Sequence, residues 1–252
     1  MSPAAVREVL HAPKTLRRAE LTHEVERGLR LASETPRITP MTSDERVRSG
    51  AILAVCTGNL CRSPVVERLL RLGLNSRWPS ASAALPIASA GTAAALGLPI
   101  PLSFAARLES MGAETATFAP RQVTPDMVAG AELVIAATRA HRATLVEMHP
   151  RAVHYTFTLR ELARLAAAAP PDDQAPIEPL ARLRSFVASA ASARGSGMPG
   201  DPTEDDVRDP FGGNDARYAA VWETLCDATS EILNALCPVG VRTLTSTGAR
   251  SR

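Results

Sequence analysis

From residue 51 onward the chain alternates short, wholly apolar runs with longer amphipathic ones. AILAV (51–55) is an unbroken apolar run of strand length, and PVVERLLRLGL (64–74) spaces its apolar residues as one face of a helix. LPIASA (85–90) predicts a second strand, and SFAARLESMG (103–112) a helix stopped by Gly112. AELVIAAT (131–138) predicts a third strand, with HRATLVEMH a helix after it. AVHYTF (152–157) predicts a fourth strand before the helical LRELARLAAAA. NDARYAAVWETLCDATSEILNALC predicts a long final helix, with Ala219, Trp222, Leu225 and Cys226 at core spacing. Strands alternating with helices in this way predict an α/β fold, a parallel sheet with helices on both faces. Ligands bind such sheets at the carboxyl ends of the strands.

Three stretches stand outside the alternation. Residues 1–50 are dense in charge and interrupted by Pro13, although Leu21, Val25 and Leu29 keep helical spacing. An extension that is partly helical or disordered is expected there, with Met41 a second possible start. Residues 170–206 read as an insertion: prolines, then a helical LARLRSFVASAASA, then the loop GSGMPGDPTEDD. Residues 238–252 read as a flexible tail. The domain proper is expected at 51–237.

Composition narrows the function classes. A formal net charge of +2 is too small to mark a nucleic-acid or membrane-surface partner. No apolar run reaches transmembrane length, and the first residues lack the apolar core of a signal peptide. The four cysteines at 56, 61, 226 and 237 are no disulfide framework for this length, so a cytoplasmic setting is expected. Cys226 and Cys237 fall on one helix about 16 Å apart by the helical rise, too far to pair. The five histidines show no metal-ligand spacing, so neither metal nor cofactor is expected. A monomer or weak dimer is expected.

The chemistry concentrates in CTGNLCRSP, directly after the first strand. Gly58 and Asn59 are residue types that take left-handed backbone readily, and such turns aim successive amides inward as an anion nest. The helix predicted from Pro64 adds its positive dipole end, and Arg62 a fork that matches two phosphate oxygens. Cys56 enters this positive cradle, which favours the thiolate, the nucleophilic form. The Ser63 hydroxyl is placed to donate to that sulfur. The loop therefore suits in-line phosphoryl transfer to a cysteine. A proton for the leaving oxygen must come from elsewhere. Asp209, in the Pro- and Gly-rich VRDPFGGNDARY, is preferred over Asp201, which stands among Gly, Thr and acids with nothing to position it.

CTGNLCRSP, SAGT (89–92) and the late DPFGG resemble the low-molecular-weight protein tyrosine phosphatases over roughly residues 51–165 and 207–237. The resemblance implies a three-layer fold with a four-stranded parallel sheet and the phosphate-binding loop after the first strand. It implies a phosphocysteine on Cys56, phosphate held by Arg62 and the loop residues Thr57, Gly58, Asn59, Leu60, Cys61 and Ser63, and Asp209 as acid then base. It implies that Asn59, Ser63 and Ser89 hold the loop by hydrogen bonds. It leaves Cys61 either a reversible redox partner of Cys56 or a small packed residue. The substrate implied is a phosphorylated protein or peptide.

The chain departs from the family pattern at named places. AAALGLPIP after SAGT has no aromatic wall, which leaves Phe211 as the obvious ring-stacking residue, and a buttressing histidine is replaced near Phe118. Leu60 is the bulky aliphatic of tyrosine phosphatases, where phosphoarginine-specific relatives carry threonine. Phosphoarginine stays open as a substrate, as does arsenate reduction with a low-molecular-weight thiol. The thioredoxin-linked form needs cysteines that AATRAHRATLVEMHP lacks.

Overall fold

Successive residues of a strand point to opposite faces, so a strand that is apolar throughout must be covered twice. The computed structural model describes residues 51–169, 175–195 and 201–237, and in it every residue of the four strands is buried. These strands are β1 (Ile52–Cys56), β2 (Ile87–Gly91), β3 (Leu133–Ala136) and β4 (Thr156–Thr158). They form one parallel sheet in the order β2-β1-β3-β4. Ile52, Ala54, Ile87, Leu133 and Ile135 belong to one core cluster, and Leu53, Val55, Ala88, Ala90, Val134 and Ala136 to another. The two clusters are the two sides of the sheet.

The larger cluster takes in α1 (Arg62–Arg77), α2 (Pro79–Ala84), α3 (Leu102–Ser110), α6 (Leu159–Ala168), α7 (Pro179–Ser192) and α8 (Asp215–Leu236). The smaller takes in α4 (Pro125–Ala129) and α5 (Arg139–Met148), through Val128 and Leu145. The result is the three-layer α/β sandwich. Helix ends follow local chemistry. A capping box, Thr158 with Glu161, opens α6, and α3 closes where Gly112 takes a φ of 89°.

Three details differ from the sequence reading. Helix α1 starts at Arg62, so Pro64 is its third residue; the first turn has free N–H groups throughout, so proline costs nothing there either. In the run read as a fourth strand, Pro150–His154 is a 3₁₀ turn and only Thr156–Thr158 pairs with β3. The short helices α2 and α4 have too few residues to show a period. Within the insertion, α7 does form, burying Leu183, Val187 and Ala190, while the Arg182 Nε donates to the Leu236 carbonyl at 2.6 Å. The expectations for residues 1–50, 170–174, 196–200 and 238–252 lie outside the described residues.

Candidate active site

β1 ends on Cys56, opposite Gly91 of β2, and the chain then turns sharply into α1. The turn is tied along the segment after β2: Thr92 N–H donates to Cys56 O, Ala93 to Thr57 O and Ala95 to Gly58 O, each at 2.9 Å. Asn59 is the only non-glycine residue with positive φ, 52°, among the described residues. Gly58, expected to share that conformation, does not, and a Cβ there would make only ordinary contacts with Leu60 and Ala95.

Hydrogen bonds hold Asn59 in this conformation. It is fully buried; its Nδ2 donates to Ser63 Oγ and to Ser89 Oγ, both at 2.9 Å, and its Oδ1 accepts from Arg121 N–H at 2.8 Å. Ser89, accepting from Asn59, gives its own hydrogen to Glu67 Oε2 at 2.5 Å. Glu67 is buried and meets Arg68 at 2.7 Å and Arg71 at 2.8 Å. Phe118, where the histidine was expected, lies beneath the Arg68 guanidinium at 5.5 Å. The donor order has a consequence. Ser63 also accepts from Asn59, so its single hydrogen is left for Cys56 Sγ at 3.0 Å or Ala90 O at 3.2 Å.

Arg62 is 4% exposed and spans the site. Its Nη1 donates to Val207 O at 3.1 Å; its Nη2 donates to Asp209 Oδ2 at 2.8 Å and to Thr57 Oγ1 at 3.4 Å. Its Nε is buried without a partner among the described residues. Asp209 comes from the far end of the chain yet faces the same guanidinium, with Oδ1 accepting from Phe211 N–H at 3.2 Å. Asp201 is elsewhere engaged: it accepts from the Thr203 hydroxyl at 2.7 Å and, capping a short turn, from Thr203 N–H at 2.8 Å, and those two bonds hold its carboxyl below the usual range.

A family model described as low molecular weight phosphotyrosine protein phosphatase matches residues 51–172. The protein-arginine-phosphatase of Geobacillus stearothermophilus is 30% identical over 185 residues, 72% of this chain and 95% of that one. The chain belongs to the low molecular weight phosphotyrosine protein phosphatase family. A probable low molecular weight protein-tyrosine-phosphatase, EpsP of Ralstonia nicotianae, is 31% identical over 119 residues, 47% of this chain and 77% of that one. Among solved structures, the YwlE arginine phosphatase from Geobacillus stearothermophilus superposes with a TM-score of 0.51 at 28% identity, covering 73% of this chain and 91% of that one.

The remaining residues around the phosphatase loop divide by burial. Leu60 is 5% exposed and belongs to the larger core cluster. Phe211 is 61% exposed. Leu96 and Leu98, both exposed, follow the segment tied to the loop, where an aromatic was sought. Cys61 is buried; burial first, then Asp209 and Cys56, push its thiol up to about 12, with the Tyr218 hydroxyl against it. All four cysteines are free thiols.

Sequence reasoning missed two residues that touch this network. One is Glu67, the one acidic residue of α1. The other is His141. Its Nε2 lies 2.9 Å from Thr57 Oγ1 and its Nδ1 2.6 Å from Thr138 Oγ1. Burial, then the Arg62 guanidinium, push the imidazole down to about 4, so it is neutral beside the loop. Thr138 three residues before it, the N-cap of α5, was the one available signal.

Proposed function

We propose that this phosphatase hydrolyses phosphotyrosine in proteins or peptides through a phosphocysteine intermediate on Cys56. The observation that carries the reading is the Cys56 sulfur, 3.0 Å from the Ser63 hydroxyl, in a loop whose Arg62 has a buried Nε–H without a partner among the described residues. Loop amides and Arg62 hold the phosphoryl oxygens. The sulfur attacks phosphorus opposite the ester oxygen; the S–P bond forms as the P–O bond breaks, and protonated Asp209 gives its proton to the phenolic oxygen. In the second step a water passes its proton to the Asp209 carboxylate as its oxygen attacks phosphorus. The S–P bond then breaks, the thiolate is stabilised by the Ser63 hydroxyl, and orthophosphate leaves.

Phosphotyrosine is favoured over phosphoarginine by Leu60, a loop position whose side chain offers no hydrogen bond. The cytoplasmic setting rests on cysteine usage, four residues without framework spacing; no helix among the described residues is long and apolar enough to cross a membrane. Cys61, buried at the N-cap of α1, keeps both roles, packing under the loop or reversible pairing with an oxidised Cys56.

The test is hydrolysis of an aryl phosphate with acid trapping of the phosphoenzyme. Cys56→Ser is expected to lose activity by about 10⁴-fold or more; turnover within about tenfold of wild type would overturn the covalent mechanism. Wild type is expected to show higher kcat/KM on phosphotyrosine than on phosphoarginine peptides, with Leu60→Thr moving the ratio toward phosphoarginine. The opposite wild-type preference would leave the protein-arginine-phosphatase reading in its place.

A further inference from the structure

The carboxyl ends of β3 and β4 carry a second concavity on the same edge of the sheet as the catalytic loop. It has a volume of about 850 Å³, and Arg160, Arg208, Arg217, Glu204, Asp206 and Asn214 are among the residues that line it. Arg160 stands in the first turn of α6, directly after β4, and Arg217 in the first turn of α8. Arg208 lies between Val207 and Asp209, the two residues whose oxygens meet Arg62. The concavity therefore begins where the catalytic arginine ends and extends toward the β4 edge.

Its charges do not cancel. Asp206 is committed to Arg139, accepting from its backbone N–H at 2.7 Å and from its Nε at 3.4 Å. Arg160, Arg208 and Arg217 are exposed and make no ion pair among the described residues; of the lining carboxylates only Glu204 is without an ion pair, while Asp209, beside Arg208, is taken by Arg62 and Asp215 shares the first turn of α8 with Arg217. The three guanidiniums come from three separate elements and all remain hydrated. That is the arrangement of a rim for an extended chain; a site for one small anion would bury its donors and converge them on a point. The phosphoryl group occupies Arg62 in the reaction proposed above, so the chain that reaches this rim is the one carrying that phosphate.

We infer that this concavity receives an acidic stretch of the substrate polypeptide flanking the phosphorylated residue. The inference rests on the phosphatase reading of the Cys56 site. Exposed ion pairs are individually weak and screened by salt, so the surface supplies selectivity and faster capture more than raw affinity.

The experiment compares phosphotyrosine peptides with Asp/Glu, Asn/Gln and Lys flanks, at low and high salt, for wild type and an Arg160→Gln/Arg217→Gln variant. Wild type at low salt is expected to prefer the acidic over the neutral peptide roughly five- to tenfold in kcat/KM, and the Lys peptide least, with the spread collapsing at high salt. The variant is expected to bring all three within about twofold, while its turnover of a small aryl phosphate stays at the wild-type level. Equal turnover of acidic and neutral peptides by wild type, or an acidic preference that survives in the variant, would overturn the inference. Fluorescence anisotropy with the same peptides carrying a non-hydrolysable phosphonate makes the comparison without turnover. A chain that hydrolysed nothing would overturn the phosphatase reading, and these dissociation constants would still decide for or against the surface. If the variant fails to fold, the wild-type contrast between acidic, neutral and basic flanks decides it alone.

Discussion

Asn59 and Asp209 belong to the same site and are held in opposite ways. Asn59 is fully buried and spends both amide hydrogens and its carbonyl oxygen on partners at 2.8–2.9 Å. Asp209 has a side chain 49% exposed and rests on Arg62 and one backbone amide. The difference follows from the work proposed for each. An anion cradle stabilises developing charge best when its donors need no reorganisation, so the residue that shapes it is locked from every side. A general acid must exchange its partner, because the phosphate that docks competes for the Arg62 Nη2–H that Asp209 now holds. Rigidity is built into the loop and withheld from the acid.

Removing the shared guanidinium breaks both halves at once. Arg62→Ala loses the phosphate fork, the anchor to Val207 O and the partner of Asp209, and is expected to lower kcat/KM by about 10⁴-fold or more and to abolish phosphate binding by calorimetry. Cys56→Ser, which leaves the donors in place, should retain that binding; equal loss in both would mean the cradle depends on the sulfur.

Asp209→Asn isolates the mobile half. Kinetics on esters of poor leaving phenols are expected to fall about 10²–10⁴-fold, and those on activated aryl phosphates much less, because only the former need the proton. Asp201→Asn should leave both unchanged. The reverse result would move the acid to Asp201.

Glu67→Gln tests the locked half from behind. It removes the charge and turns one of the two accepting oxygens into an NH2 donor, so either the Ser89 hydroxyl or the Arg68 and Arg71 guanidiniums lose their acceptor. Denaturant melts are expected to show a loss of about 1–3 kcal/mol, with kcat reduced alongside. A stability loss with kcat untouched would mean that the chain from Glu67 to Ser63 supports the loop without orienting the sulfur's hydrogen bond.

The most gradual effect concerns His141 and pH. Folded, its imidazole resists protonation until about pH 4, whereas in the unfolded chain it takes a proton near its ordinary 6.5. Between these values the unfolded state binds more protons, so stability falls as pH drops through that window, by about 3 kcal/mol at most from this residue. Melting temperature measured from pH 7 to pH 4 should show a shallower decline in His141→Gln. An unchanged slope would assign the acid lability to other groups.

What was legible in the chain follows the range of the interactions involved. β1, β3, α1, α5, α6 and α8 were readable because their apolar periods are set by the residues themselves, and the anion loop because its chemistry is contiguous from Cys56 to Ser63. β4 was overcalled: Val153 and Tyr155 are β-formers, but Pro150 starts a 3₁₀ turn and β3 pairs with only three residues beyond it. Glu67 and His141 could not be read, because each meets the loop only after α1 and α5 have docked on opposite faces of the sheet. Arg121 contributes a backbone N–H, which carries no residue signature at all. Gly91 shows the same long range in steric form: a Cβ there would come within 2.4 Å of Thr57 O and 2.9 Å of Asn59 N.

Val207 turns a length difference into a neutral one. Its N–H is fixed to Ala137 O at 2.8 Å and its own carbonyl to Arg62, and the residue is 1% exposed. Whatever chain arrives from residue 170 onward, the polypeptide is re-registered on the end of β3 two positions before Asp209. In the proposed mechanism the place of the acid is then set by Val207 and its two hydrogen bonds. Such a chain can gain, lose or exchange segments between α7 and the short turn at Pro202 without retuning the distance from acid to nucleophile. Evolution can lengthen the protein at that point, and an engineer can graft a reporter or a targeting module there, at no cost to the geometry of the reaction.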